Sequence, residues 1–277
     1  MSTHPVLARL VHRLAGDRPT AAADLVTTGY PSLDRLLGGG LRRGELTVLG
    51  GDAGAGSTAL ALGLALRAAV AGHGVLVLTH EHAPERTWER LLAAESGVSH
   101  VALRTGVLPA DGAAQLRAAA DVLALLPLRI ETAPTAPAAL AARLEDDAEV
   151  LPPLVVIDGL AAVEAPPGPA AEAQAQAVRA AKRAAVLRDA AVVLVAPLAV
   201  PAGFRPPPRP TLADFGALGT IATVADAVVA VYRDGLYDDA PDVAGAFEVH
   251  LLKHRATRPG HADLYIEPAA GRVEDLA

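Results

Sequence analysis

Between an apolar run at 45–49 and a helical run at 59–71 lies a glycine-rich stretch, Gly51, Asp52, Ala53, Gly54, Ala55, Gly56, Ser57 and Thr58. A glycine-rich corner between a strand and a helix turns successive backbone N–H groups inward. The positive end of the helix dipole adds to them, so this layout suits a polyphosphate. The spacing fits GxxxxGK[ST] at both glycines and at the closing hydroxyl, Thr58, the position that meets Mg²⁺. The lysine position holds Ser57. Every functional reading of the chain turns on that substitution.

Two carboxylates stand where such a corner needs them. Asp158 ends the apolar run 154–157, and an acid there can order the magnesium water shell beside Thr58. The alternative is a helix N-cap after a strand. Glu81 follows the run 75–78, and a carboxylate at the carboxyl end of a parallel strand adjacent to the cradle can polarise a water for attack on a terminal phosphate. The rival is a solvated loop acid. His80 and His82 flank it without a third ligand at fixed spacing, which argues against zinc. Lys253 and Arg255 close the run 247–252, with Arg258 just beyond. Such cations are either solvated or presented to a neighbouring subunit's nucleotide, as in ring ATPases. Arg179, Lys182, Arg183 and Arg188 lie on one helical run, and Arg205 and Arg209 follow in a proline-rich loop. With so few charges, and no aromatics there beyond Phe204 and Phe215, contact with single-stranded nucleic acid would be modest and salt-sensitive.

The elements that must position these groups alternate. Strand-like runs at 45–49, 75–78, 154–157, 191–195, 227–231 and 247–252 are separated by helical segments at 59–71, 84–94, 111–124, 136–146 and 170–189. Continuous apolar strands alternating with helices imply an α/β fold whose parallel sheet is covered on both faces. The runs 247–253 and 262–267 follow each other without a helix and predict an antiparallel extension. Ahead of the cradle, Val6, Leu7, Leu10, Val11 and Leu14 recur at helical spacing, so residues 1–27 read as an amphipathic helix and linker before the domain at 28–277.

The chain has 277 residues, of which 52% are hydrophobic, enough for one large core. Its apolar stretches are short and interrupted, and no basic-then-apolar leader opens it, so the expectation is a cytoplasmic protein without a membrane span. Zero cysteines exclude disulfides, thiolate chemistry and cysteine-ligated zinc. A net charge of -7 argues against a broadly basic nucleic-acid coat. Lys182 and Lys253 are the chain's lysines, and neither is near the cradle in sequence.

Taken together, these residues resemble the C-terminal RecA-like motor domain of DnaB-type replicative helicases. The likeness is carried by Thr28-Gly-Tyr-Pro-Ser-Leu-Asp34, by Gly56-Ser-Thr-Ala-Leu-Ala-Leu62, by Glu81-His-Ala-Pro-Glu85 with Arg90-Leu-Leu-Ala93 and Leu103-Arg-Thr-Gly106, by Val156-Ile-Asp158, by Ala225-Asp-Ala-Val-Val229 with Tyr232-Arg-Asp234, and by Lys253-His-Arg255. RadA and KaiC proteins are a weaker match. The resemblance implies a RecA-like P-loop NTPase that binds ATP along residues 51–58, with Mg²⁺ at Thr58 and Asp158. It further implies Glu81 as catalytic base, and Arg255 and Lys253 as a finger and companion acting on a neighbour. It implies a homo-oligomeric, hexameric ring drawing single-stranded DNA through its centre, with the N-terminal helix docked on the adjacent protomer.

Three positions depart from that pattern. Ser57 replaces the phosphate-gripping lysine, Pro197 stands where the family has a glutamine, and the first DNA loop, 163–169, carries Glu164 and no cation. Losing one charge-assisted contact weakens ground-state binding by roughly 1.5–3 kcal/mol. Losing a donor aimed at transition-state charge costs about 10²–10³ in rate. The sequence therefore supports two readings: an impaired DnaB-like ATP hydrolase and helicase motor, or a catalytically inactive RecA-fold scaffold working through protein–protein assembly.

Overall fold

Runs of β-branched and leucine residues with no polar interruption build the centre of the molecule, because a strand buried on both faces leaves no side for a polar residue. In the structure, a computed structural model, residues 24–146, 148, 150–164, 169–200, 209–237 and 245–276 are described. The predicted helix at 5–14 lies outside them, as do Phe204 and Arg205. β3 (Leu46–Gly51), β4 (Val75–Thr79), β5 (Leu128–Thr132), β6 (Leu154–Asp158), β7 (Ala191–Pro197) and β8 (Ala227–Tyr232) pair in parallel in the order β8-β3-β7-β6-β4-β5. β9 (Ala246–His254), β10 (Gly260–Glu267) and β11 (Arg272–Asp275) continue the nine-stranded sheet antiparallel from β8, as the sequence predicts for β9 and β10.

Successive strand residues enter different cores. Leu154 and Val156 of β6 pack with α2 (Ser57–Val70), and with Leu91 of α3 (Pro84–Ser96) and Leu123 of α5 (Gly112–Ala124). Val155 and Ile157 face α6 (Pro137–Glu145) and α7 (Ala170–Arg188) on the other side. This is the period-2 alternation of a sheet sandwiched between two helical layers. α8 (Thr220–Val224) leads into β8.

The segment leading to the cradle is a local lock. In α1 (Pro31–Leu37), Asp34 accepts hydrogen bonds from the hydroxyls of Thr27 and Thr28, both at 2.6 Å, and from the Thr28 amide at 2.8 Å. Tyr30 is buried with the Arg67 guanidinium 4.4 Å over its ring. A two-stranded ladder of β1 (Leu25–Val26) and β2 (Leu41–Arg42) closes this lead-in.

Several elements escape the sequence reading. β5 alternates exposed and half-buried polar residues, Arg129 and Glu131, because it is the sheet's edge and one of its sides meets water. α4 (His100–Thr105) buries none of its residues, so it carries no apolar stripe to be read. One expectation is corrected. β4, the strand before Glu81, is not β3's neighbour: β7 and β6 intervene.

Candidate functional site

β3 ends at Gly51 and the chain turns through Gly54 (φ +80°) and Gly56 (φ +107°) before α2 begins at Ser57. These left-handed conformations exclude ordinary side chains. At Gly56 an added Cβ would also lie 3.0 Å from the Phe247 ring and 3.1 Å from Ile266. The corner encloses a cavity of about 480 Å³ bounded by the glycines, Thr58, Glu81, Asp158 and Pro197.

Asp158, at the end of β6, is 6% exposed and accepts a 3.2 Å hydrogen bond from the Thr58 hydroxyl. Burial, and then the charge of Glu81, push its carboxyl up to about 6. The Thr58 hydrogen bond and the charges of Arg90 and His82 act the other way. A desolvated acid beside a second acid and a hydroxyl is a donor set that favours a divalent cation. The glycine corner and this oxygen set therefore fit a magnesium-bound triphosphate.

Glu81 reaches the cavity despite the two intervening strands because its loop folds back over β6. The His80 amide donates to the Asp158 carbonyl at 2.7 Å, and Glu81 Oε1 lies 2.9 Å from where a Cβ on Gly159 would sit. Glu81 itself is exposed, facing the cavity mouth. His80 is occupied elsewhere: its ring meets the Pro134 carbonyl at 2.9 Å. Among the described residues no group of three His, Asp or Glu side chains could hold a metal alone.

The structure brings Gly51 to Thr58, Glu81 and Asp158 together but sets Lys253 and Arg255 apart from them. β9 runs antiparallel to β8, so His254 pairs with Ala227 at the amino end of the parallel strands, whereas the cradle is at their carboxyl end. The length of β3 separates the two ends, about 17 Å at 3.3–3.4 Å per residue. Lys253 donates to the carbonyls of Ala222 (2.8 Å) and Ala225 (2.5 Å). Arg255 donates to Asp226 at 2.8 Å and keeps its side chain 55% exposed.

Several residues at the cavity and at the opposite end of the sheet went unassigned in the sequence. Asp226, 4% exposed, accepts from Arg255, from Lys182 (2.7 Å) and from the Leu46 amide (2.8 Å). The Tyr237 hydroxyl donates to Asp52 in the corner, and its ring stacks on Tyr232 with centroids 5.6 Å apart. Arg90 of α3 lines the cavity and meets His82 at 3.0 Å. Conversely, Phe215 is buried beneath Gly50 and is no stacking platform. Arg209 is held bidentate by Glu248 at 2.6 and 2.9 Å.

The DnaB-like helicase C-terminal domain profile matches residues 26–275. The chain belongs to this DnaB-like family. The replicative DNA helicase DnaB of Geobacillus stearothermophilus is 26% identical over 239 residues, covering 83% of this chain and 52% of that protein. The DnaB of Treponema pallidum (strain Nichols) is 31% identical over 214 residues, covering 76% of this chain and 48% of that protein. This DnaB-like chain therefore spans about half the length of these curated relatives. The solved ATPase domain of G40P superposes with a TM-score of 0.86 at 20% identity, covering 99% of this chain and all of the other, which establishes the RecA-like fold. Among the described residues no helix of this family member is long and apolar enough to cross a membrane.

Proposed function

We propose that this domain is a nucleotide-driven helicase motor that binds ATP with Mg²⁺ in the glycine-lined cavity and turns it over slowly while moving on single-stranded DNA. The observation that carries this reading is the meeting of the Thr58 hydroxyl and the buried Asp158 carboxylate at 3.2 Å beside the glycine corner, under Glu81. In this reading the backbone of residues 51–58 holds the phosphates, and Thr58 and Asp158 hold the magnesium. When bound, the metal neutralises phosphate charge. Glu81, at the mouth, accepts the proton of the attacking water.

Lys253 and Arg255 cannot serve their own cradle across the sheet, so they act on a neighbour's. That requires a homo-oligomeric ring, a hexamer by family likeness, in the cytoplasm. Residues 1–27 would dock on the adjacent protomer. DNA contact is modest, because Arg209 is tied to Glu248 and Arg183 to Glu145.

ATP hydrolysis measured with and without single-stranded DNA, beside Glu81→Gln, tests the proposal. A DNA-stimulated rate that the variant loses is expected; equal rates would refute it. The second reading, an inactive scaffold, is favoured by Ser57 and by Pro197, which lines the cavity with no side-chain donor.

A further inference from the structure

Arg255 stands just past the end of β9, in a turn whose backbone is tied at several points. The Nδ1 of His254 accepts from the amides of Ala256 (3.0 Å) and Thr257 (2.9 Å), and the Thr257 hydroxyl donates to the Leu36 carbonyl of α1 at 3.2 Å. The Arg255 amide donates to the Asp226 carbonyl at 3.0 Å. Lys253 fastens the same tip to α8 and the residue after it, through the carbonyls of Ala222 and Ala225. With the turn fixed in this way, the reach of the guanidinium is decided by what holds the side chain.

That anchor is Asp226. Arg255 gives it Nε, at 2.8 Å, and among the described residues its terminal nitrogens Nη1 and Nη2 hold no hydrogen bond. A guanidinium paired end-on with a carboxylate spends its terminal nitrogens on the pair. One held by Nε spends one of its five N–H donors and keeps the rest as a fork beyond it. Asp226 cannot follow the guanidinium away. Its other oxygen, Oδ2, accepts from the Leu46 amide (2.8 Å) and from Lys182 (2.7 Å), and its own amide donates to the Leu46 carbonyl at 2.9 Å.

We propose that Asp226 is the positioning residue of the Arg255 finger, holding the guanidinium by Nε so that both terminal nitrogens stay free for a neighbouring subunit's terminal phosphate. This rests on the reading above in which Arg255 serves a neighbour's cradle, and it names the group that sets the finger's aim. An unanchored arginine gives up its rotamer freedom when it meets the phosphate; one already held by Nε has given up much of it on folding. Asp226 touches no nucleotide, since it lies at the amino end of the parallel strands, so it acts through Arg255. Asp226→Asn separates its duties. The Asn oxygen can stay on the Leu46 amide and Lys182, while its NH₂ group meets the Arg255 Nε–H donor to donor.

DNA-stimulated ATP turnover by the full chain tests this, with thermal unfolding showing which variants fold. Asp226→Asn is expected to lower kcat about 10- to 100-fold and to leave KM for ATP within about twofold. Mixed in equal amounts with Glu81→Gln it should recover activity. Mixed with Arg255→Ala it should not, since both chains then bring a sound cradle and a faulty finger. Arg255→Lys carries the test without altering Asp226, and decides it if Asp226→Asn does not fold. A lysine ends where the guanidinium carbon sits, so it can hold Asp226 or reach a phosphate but not both, and its rate should fall with that of Arg255→Ala. Asp226 does not aim the finger, although the finger reading survives, if Asp226→Asn keeps the unaltered rate, fails to recover with Glu81→Gln or restores activity to Arg255→Ala, or if Arg255→Lys keeps the unaltered rate. If the unaltered chain does not hydrolyse ATP, or Arg255→Ala keeps its rate, the finger reading fails first and takes this one with it.

Discussion

At the scale of single residues, Asp158 carries the most informative titration. Its carboxyl is raised to about 6, mainly by burial, so the folded chain binds a proton that the unfolded chain releases between pH 4 and 6. The group's contribution to stability is fully present below pH 4 and is lost as pH rises through 6. Above pH 6 its ionisation costs the fold about 3 kcal/mol, at 1.4 kcal/mol per tenfold change in acidity. A bound magnesium ion would offset that cost, since it needs the ionised form. Without magnesium, Asp158→Asn should raise Tm at pH 7.5 and leave it unchanged at pH 4. In the unaltered chain the rise in Tm caused by magnesium should fade below pH 6, and in Asp158→Asn it should be absent at every pH. Thr58 and the glycine corner were legible in the sequence because their spacing is imposed by one strand–turn–helix unit, and Asp158 because it closes an uninterrupted apolar strand. Arg90 and Asp226 were not, because their partners lie on other elements: Arg90 faces a corner more than 30 positions earlier, and Asp226 gathers Leu46, Lys182 and Arg255.

At the scale of elements, the corner between β3 and α2 shows how packing and backbone strain combine. Gly54 and Gly56 both have positive φ, but a Cβ on Gly54 would meet Leu236 only at an ordinary 3.8 Å, whereas one on Gly56 would press the Phe247 ring at 3.0 Å. Gly54→Ala should cost the left-handed penalty alone, about 1–2 kcal/mol. Gly56→Ala should cost more, about 2–4 kcal/mol, since Phe247 and Ile266 sit in the core and must shift. Urea unfolding of the two variants checks the order, and equal costs would mean that the ring yields freely. The central strands were legible because burial on both faces leaves continuous apolar runs. β5 and α4 were hidden for the opposite reason: half of β5 faces water and α4 is buried nowhere, so neither shows the periodicity by which elements announce themselves.

At the scale of the whole molecule, the sheet holds the glycine corner at one end and the Lys253 and Arg255 pair at the other, and Asp226 gathers three elements at the second end. Its carboxylate joins the start of β3, the α7 helix through Lys182, and the tip of β9 through Arg255. Asp226→Ala leaves the Leu46 amide without its acceptor and should cost about 1–3 kcal/mol, the two cations being exposed enough to recover water. The separation of Arg255 from its own cradle makes a stronger prediction. If Arg255 serves the neighbour's cradle, a Glu81→Gln chain still offers a sound finger and an Arg255→Ala chain still offers a sound cradle. Each variant alone assembles only defective junctions. Mixed in equal amounts and allowed to exchange subunits, a closed ring with head-to-tail contacts places the sound cradle against the sound finger at about one junction in four. The mixture should therefore hydrolyse ATP at about a quarter of the unaltered rate, while either variant alone stays near background. If Arg255 worked within its own chain, no mixture could rebuild a complete site and the rate would stay at background whatever the proportions; if it only held Asp226, Arg255→Ala alone would keep its rate.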